Sequence, residues 1–249
     1  DAIPLSSAGR NFLDQYKTHL INLGINIDFI AVADDVANCA SCMMINDAHG
    51  NQVIGFYPGP DNPRRQSPET LPFIDNIVLT ILGPEKPELT LRQGRILFEH
   101  NVPLMVDPGQ VISAFSRDQI RELLKLARYL VINHHEFEVL KTNGGLTDEE
   151  VFGQVPEVVL TRGDKGVAIY SGGGICHVDA VPDVKVNEVT GCGDAFRAGY
   201  AYGIVNNLNL TERAQAGCIM AARNLENPET QRYRITATEL DALRTTIYG

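Results

Sequence analysis

One aspartate in this sequence stands directly after a glycine-rich turn and at the start of a helical pattern. The segment covers residues 189–199, VTGCGDAFRAG, in which Gly191 and Gly193 flank Cys192 and precede Asp194. Glycines let the backbone approach a ligand closely, and the first amides of a helix attract anions because they lack intrahelical acceptors. An aspartate there either complements the helix dipole or accepts a proton from a hydroxyl beside an anion site.

Other polar segments follow apolar runs that have the pattern of strands. NHHE at residues 133–136 follows YLVI, TRGDKG at 161–166 follows EVVL, and Asp107 follows LMV. Ligands of parallel sheets bind beyond the carboxyl ends of the strands. Taken alone, NHHE is better explained as a polar loop between a strand and a helix. No GxxxxGK[ST] segment occurs in the sequence, which excludes a P-loop ATPase.

Composition limits the class of protein and its partners. The 249 residues are 44% hydrophobic, and 31 acidic against 21 basic residues give a formal charge of −10. That charge disfavours nucleic-acid backbones and anionic membranes as partners. Five scattered cysteines are typical of reduced thiols, and no apolar run approaches the ~18 residues of a membrane helix. We therefore expect a soluble cytoplasmic protein that binds small molecules and has no disulfides.

The first third of the sequence predicts a helix followed by a small sheet. Residues 10–23 repeat apolar side chains at helical spacing and end before Gly24, a typical C-terminal cap. The predicted apolar face consists of Phe12, Leu13, Tyr16, Leu20 and Leu23. Short apolar runs at 27–34, 39–47 and 51–59, separated by turn residues, predict strands of an antiparallel sheet.

From residue 75 onward, apolar strand patterns alternate with helical ones. This alternation predicts an α/β fold with a doubly wound, mostly parallel sheet and helices on both faces. Two final helices are predicted at 211–225 and 236–247.

The three motifs together resemble the ribokinase (PfkB) family of carbohydrate and nucleoside kinases. TGCGDAFRAG is similar to the family signature, NHHE fits its N-x-x-E, and TRGDKG fits its T-x-G-x-x-G, in the family's order. The resemblance runs from about residue 9 to the C-terminus. It implies a single ribokinase-like domain over residues 1–249, with a small β lid at 25–58 and an active site between lid and sheet.

The resemblance also implies a role for each matching residue. Asp194 would be the base that activates the acceptor hydroxyl, and the amides of Gly191, Cys192 and Gly193 would form an anion hole for the transferred phosphoryl group. Glu136 would organise Mg²⁺ through water. The residues implied on the ATP side are Asn133, Thr161, Gly163, Lys165 and Gly166. The implied cofactors are ATP as co-substrate and Mg²⁺, with K⁺ as a further candidate.

Two further sequence features bear on the identity of the acceptor. VDPGQ at 106–110 and Arg197 within GCGDAFRAG resemble bacterial adenosine kinases more than sugar kinases. The implied reaction transfers a phosphoryl group from ATP to the 5′-hydroxyl of adenosine, giving AMP and ADP for purine salvage. A sugar kinase of the same family is one alternative. A non-catalytic nucleotide- or nucleoside-binding relative is another.

The sequence departs from the family pattern in two places. The first strand with its acceptor-binding Asp, and the Gly-Gly-x-x-x-Asn segment, are absent, so we expect a chain that is N-terminally incomplete. Glu188 and Val189 replace the usual Asp-Thr or Asp-Pro, and Glu229 replaces a usual glycine, in the loop where the family binds a monovalent cation. An exposed lid sheet could also pair two copies into a homodimer.

Overall fold

The computed structural model describes residues 2–46, 52–60 and 67–249. The backbone divides into two compact units, Asp1–Ile74 and Asp75–Gly249. No helix within the described ranges is long and apolar enough to cross a membrane.

The first unit contains two small sheets and two short helices. Its elements are β1 (Ser6–Gly9), α1 (Phe12–Gln15), α2 (Lys17–Asn22), β2 (Ile30–Ala33), β3 (Ser41–Asn46) and β4 (Gln52–Tyr57). The predicted helix over 10–23 is confirmed as α1 and α2 with a break at Tyr16, and Gly24 follows with φ +75°. Its predicted apolar face is confirmed in part: Phe12 is buried, whereas Leu13 and Tyr16 are 48% and 44% exposed.

The predicted strands of this unit are confirmed, but one pairs differently. β3 and β4 form an antiparallel hairpin, with Ile45 opposite Val53. β2 does not join them and instead pairs in parallel with β1, a strand that the sequence pattern missed. Within the predicted lid at 25–58, residues 47–51 lie outside the described part of the chain.

The second unit is a six-stranded sheet with helices. Its elements are β5 (Thr80–Leu82), α3 (Pro87–Glu99), β6 (Leu104–Val106), α4 (Arg117–Leu126), β7 (Tyr129–Asn133), α5 (His134–Gly144), α6 (Asp148–Gln154), β8 (Glu157–Thr161), β9 (Val167–Ser171), β10 (Gly174–Val178), α7 (Cys192–Val205), α8 (Leu210–Leu225) and α9 (Ala237–Tyr248). The strand order is β10-β9-β8-β7-β6-β5, parallel from β5 to β8 and antiparallel across β9 and β10. The predicted mostly parallel sheet is therefore confirmed.

The central strands are apolar because helices cover both faces of the sheet. All three residues of β6 and the first four of β7 are buried. At the opposite end from the predicted site, the Tyr200 hydroxyl donates to Glu157 over 2.7 Å, and Arg213 lies 3.4 Å from the same carboxylate. Burial, together with this carboxylate, raises the pKa of Tyr200 well above its usual value. These contacts tie α7 and α8 to the start of β8.

Candidate functional site

Helix α7 begins at the glycine turn, and its N-terminus differs from those of its neighbours. Five helices of the second unit start with a capping box, in which a side chain accepts from the first-turn amides. Their N-cap residues are Ser116, Asn133, Thr147, Asn209 and Thr236. The N-cap of α7 is Gly191 with φ +79°, and no side chain caps this helix. The amide end of α7 is thus left open to a ligand.

The three amides predicted to form the anion hole are not equivalent. The amide of Cys192 donates to the carbonyl oxygen of Val189 over 3.2 Å, which closes the turn. Among the described residues, the amides of Gly191 and Gly193 have no acceptor. Burial raises the pKa of the Cys192 thiol, so that this side chain stays uncharged at neutral pH.

Asp194 lies at this helix end and is paired with an arginine of the next turn. The Asp194 side chain is 80% exposed, and its Oδ1 lies 2.6 Å from Nη2 of Arg197. The same nitrogen lies 2.9 Å from Oδ2 of Asp107, whose side chain is only 3% exposed. One guanidinium group therefore bridges a buried and an exposed carboxylate.

Asp107 follows β6 and is the most perturbed carboxyl group of the site. Burial raises its pKa to about 6, while the charge of Arg197 and a 3.1 Å hydrogen bond from the Gly109 amide oppose the rise. Glu136 and Asp194 are near enough to raise it further. Three carboxylates and one arginine thus share this edge of the sheet.

Asn133 and Glu136 come together, as the NHHE motif predicts, but as a helix cap. The Asn133 side chain accepts from the Glu136 amide over 2.9 Å, and Glu136 Oε2 accepts from the Asn133 amide over 3.2 Å. This capping box starts α5 at the carboxyl end of β7. The helix cap, rather than a polar loop, therefore accounts for the local structure, and Glu136 is half-buried beside Asp107.

The TRGDKG segment lies beside that cap. Thr161 ends β8 directly opposite Asn133 of β7, and a 3-10 turn at Gly163–Lys165 leads into β9. Gly166 has φ +73°, and a Cβ there would lie 2.1 Å from the carbonyl oxygen of Val178, so only glycine fits. The sheet register thus brings the second and third motifs together.

The segment before the glycine turn is attached to the end of α8. The buried Asn224 side chain donates to the Thr190 carbonyl over 2.8 Å, and Glu188 Oε1 accepts from the Thr190 amide over 2.8 Å. The Asn187 amide donates to Leu225, and its side chain donates to the Glu226 carbonyl over 2.7 Å.

A K⁺ ion in this loop would need free carbonyl oxygens that converge on it. The carbonyls of Thr190, Leu225 and Glu226 already accept N–H groups, and the Asn224 amide presents its positive end to Thr190. The Asn224 amide and the hydrogen bonds to these three carbonyls therefore oppose K⁺ binding at these oxygens.

Mg²⁺ sets different requirements. No group of three or more His, Cys, Asp or Glu side chains within the described residues could cage a metal ion. Mg²⁺, however, usually keeps several waters and uses one or two carboxylates plus substrate phosphates. The half-buried Glu136, next to Asp107, fits that mode through water.

A small apolar cavity lies one helical turn from Asn224. Val181, Ile219, Ala222, Leu243 and Ile247 line it, and Arg223 pairs with Glu226 over 2.8 Å at its edge. No sequence pattern indicates this cavity, because its lining comes from a loop and two helices that are distant in sequence.

Comparison with solved structures defines the class of fold. The ribokinase of Thermotoga maritima superposes with a TM-score of 0.79 over 98% of this chain and 81% of its own, at 21% identity. A nucleoside kinase of Burkholderia thailandensis with ADP and inosine superposes with a TM-score of 0.88 over 98% of this chain and 76% of its own, at 26% identity. The fold is ribokinase-like.

Sequence comparison then gives the family. The model of the pfkB family carbohydrate kinases matches residues 5–236, so this chain belongs to that family. The nucleoside kinase of Methanocaldococcus jannaschii is 25% identical over 219 residues, which are 88% of this chain and 71% of that protein.

Proposed function

We propose that this protein transfers the γ-phosphoryl group of ATP to the 5′-hydroxyl of a nucleoside, with adenosine as the acceptor, giving AMP and ADP. The observation that carries the proposal is the position of Asp194, which stands at the uncapped N-terminus of α7 beside the free amides of Gly191 and Gly193. A base and an anion site at one place suit attack of a hydroxyl on a phosphoryl group.

In the proposed reaction, Asp194 accepts the proton of the acceptor hydroxyl as the hydroxyl oxygen attacks phosphorus. The amides of Gly191 and Gly193 and the helix dipole stabilise the charge on the transferring phosphoryl oxygens. The Cys192 amide joins them if its 3.2 Å bond to Val189 opens. Phosphoryl transfer requires mainly alignment and charge stabilisation, which this arrangement supplies without covalent chemistry by the protein.

ATP is proposed to lie along the β7, β8 and β9 ends of the sheet. Its binding residues would be Asn133, Thr161, Gly163, Lys165 and Gly166, and the apolar cavity between α8 and α9 would receive the adenine ring. Glu136 would hold Mg²⁺ through water, and the ion, when bound, supplies positive charge to the phosphates.

Support for a nucleoside acceptor comes from relatives. The Burkholderia protein was solved with ADP and inosine, and the Methanocaldococcus relative is a nucleoside kinase. The family description, carbohydrate kinase, keeps a sugar acceptor as the second candidate. A non-catalytic binding relative is the third candidate; the departure at Glu188 favours it, although the Glu188 carboxylate accepts a hydrogen bond that holds the turn.

We further propose that K⁺ is not required, that the enzyme works in the cytoplasm, and that it is a homodimer. The first rests on the occupied carbonyls around Thr190. The second rests on the five free thiols, which suit a reducing compartment. The third rests on the β3–β4 hairpin, where Met43, Ile45 and Val53 are all more than 60% exposed.

The proposal is tested by measuring ADP release with ATP, Mg²⁺ and a panel of acceptors: adenosine, inosine, guanosine, cytidine, ribose and fructose. We expect the highest kcat/KM with adenosine. Asp194→Asn is the matched variant; it should bind ATP nearly as tightly and lower kcat by about 10²–10⁴-fold, the usual range for loss of a general base. Retained turnover in this variant would disprove the role of Asp194, and a preference for ribose or fructose would establish the sugar kinase.

A further inference from the structure

We propose that Arg197 is a catalytic residue of this reaction, whose guanidinium group exchanges Asp194 for the transferring phosphoryl group, and that Asp107 is the positioning residue that holds it there. This inference rests on the proposed function and extends it to two residues to which the family resemblance assigns no role: Arg197, which lies within the TGCGDAFRAG motif, and Asp107, which lies outside the three motifs.

The position of the guanidinium group supports this role. A Cβ at Gly193 would lie 3.2 Å from Nη1 of Arg197, so the guanidinium lies over the start of α7 where the Gly193 amide is free. Its Nη2 bridges Asp194 at 2.6 Å and Asp107 at 2.9 Å. The Arg197 side chain is 17% exposed, which leaves an approach for a ligand from solvent. Arginine binds phosphate oxygens through its planar fork of N–H donors.

The two carboxylates hold Arg197 with different strength. Asp107 is buried, and removal of the cation would leave an uncompensated charge in a low-dielectric environment, which is strongly unfavourable. Asp194 is 80% exposed, and an ion pair to such a group is worth at most about 1 kcal/mol. An arriving phosphate should therefore displace Asp194 and leave the Asp107 contact intact.

The exchange couples the base to the phosphate. While Arg197 pairs with Oδ1 of Asp194, that oxygen is unavailable to the acceptor hydroxyl. When the guanidinium turns to the γ-phosphoryl group, Asp194 is free to accept the proton. The hydroxyl oxygen then forms a bond to phosphorus, the bond from phosphorus to the bridging oxygen of ADP breaks with its electron pair, and Arg197 remains protonated throughout.

The decisive variant is Arg197→Ala, and Arg244→Ala is its matched control. Arg244 is 20% exposed and also bridges two carboxylates, Glu212 at 2.8 Å and Asp241 at 3.8 Å, the latter three residues before it as Asp194 is before Arg197. We expect kcat of Arg197→Ala to fall by about 10³-fold or more, as for other arginines that stabilise phosphoryl transfer, with little change in KM for the nucleoside. Arg244→Ala should keep kcat.

Guanidinium ion at tens of millimolar tests whether the charge itself acts. It should restore kcat of Arg197→Ala by at least about 10-fold, because the missing group is supplied from solution, and leave Arg244→Ala unchanged. Asp107→Asn should lower kcat, because it weakens the contact that holds Arg197. Arg197→Lys should retain a higher kcat than Arg197→Ala, because it keeps the positive charge. If guanidinium does not restore the activity of Arg197→Ala and its melting temperature is lowered, Arg197 has a structural role and the inference is overturned. A kcat of Arg197→Ala within about threefold of the wild type would overturn it as well.

Nucleotide affinity provides a readout that does not depend on turnover. If Arg197 contacts the γ-phosphoryl group, Arg197→Ala should weaken calorimetric binding of ATP by about 10-fold more than binding of ADP, in line with one charge-assisted hydrogen bond. Equal losses for both nucleotides would overturn the inference. A wild-type protein that turns over no acceptor would instead refute the proposed function.

Discussion

Asp107 is a buried acid whose negative charge is stabilised by Arg197 and the Gly109 amide and disfavoured by the nearby acids Glu136 and Asp194. Burial raises its pKa to about 6 from an ordinary value of 3.8. An acid with a raised pKa in the folded state binds more protons there than in the unfolded chain between these two values. Its contribution to stability is therefore lost as the pH rises from about 4 to about 6.

This loss of stability with rising pH can be measured by comparison with Asp107→Asn. We expect the wild type to lose up to about 3 kcal/mol of its free energy of unfolding, relative to the variant, between pH 4 and pH 7. This value follows from about 1.4 kcal/mol for each unit by which the pKa is raised. Urea denaturation of both proteins at matched pH values measures the difference, and the other carboxylates cancel because both proteins contain them. A difference that is constant with pH would show that Asp107 is not perturbed.

At the scale of single residues, the sequence could predict the role of Asp194 but not the contact between Asp107 and Arg197. Asp194 stands beside its two glycines in the chain, whereas Asp107 and Arg197 lie on separate elements and meet only because β6 ends where α7 begins. The NHHE motif was predicted as a ligand segment. In the structure, its Asn133 and Glu136 satisfy the first amides of α5, since the same side chains that bind ligands also cap helices.

At the scale of elements, the end of α8 holds the glycine turn through the hydrogen bond from Asn224 to the Thr190 carbonyl, which we propose makes a bound K⁺ unnecessary. Asn224→Asp turns a donor toward Thr190 into an acceptor, so two oxygens would face each other. We expect the melting temperature to fall by about 5–10 °C, from about 2–3 kcal/mol for a buried polar group left unpaired. K⁺ should restore part of that loss, because it can bridge the two oxygens.

The wild type should behave differently. When the choline salt of the assay buffer is replaced by the K⁺ salt, its kcat and melting temperature should change little. Asn206→Asp is the control, since Asn206 also donates to a backbone carbonyl, that of Tyr202 at 2.8 Å, but at the far end of α7. It should show no response to K⁺. Activation of the wild type by K⁺ by several-fold would contradict the hydrogen-bonded turn as a substitute for the ion.

Element types were predictable from β5 onward because the strands of a covered parallel sheet are continuous apolar runs and the helices begin with capping residues. The strand β1 could not be predicted, since Ser6–Gly9 contains few apolar residues and forms a strand only by pairing with β2. The break at Tyr16 likewise leaves α1 and α2 too short for helical periodicity to identify buried positions.

At the scale of the whole molecule, the apolar face of the β3–β4 hairpin is the feature that most concerns assembly. In the antiparallel register, Ile45 lies opposite Val53 and Met43 opposite Gly55, so Met43, Ile45 and Val53 share one face. They are 72%, 64% and 70% exposed. Such a face is typical of a surface that another copy of the chain covers.

We expect the protein to sediment as a dimer and Ile45→Asp to weaken the dimer by about 10²-fold or more, because a charge at the centre of an apolar interface is left desolvated and unpaired. Phe56→Asp is the control: Phe56 is 68% exposed on the same hairpin but pairs with Cys42, on the opposite face. That variant should remain dimeric. Sedimentation equilibrium over a range of protein concentrations measures both, and a wild type that stays monomeric at high concentration, or an unaffected Ile45→Asp dimer, would remove this hairpin as the site of association.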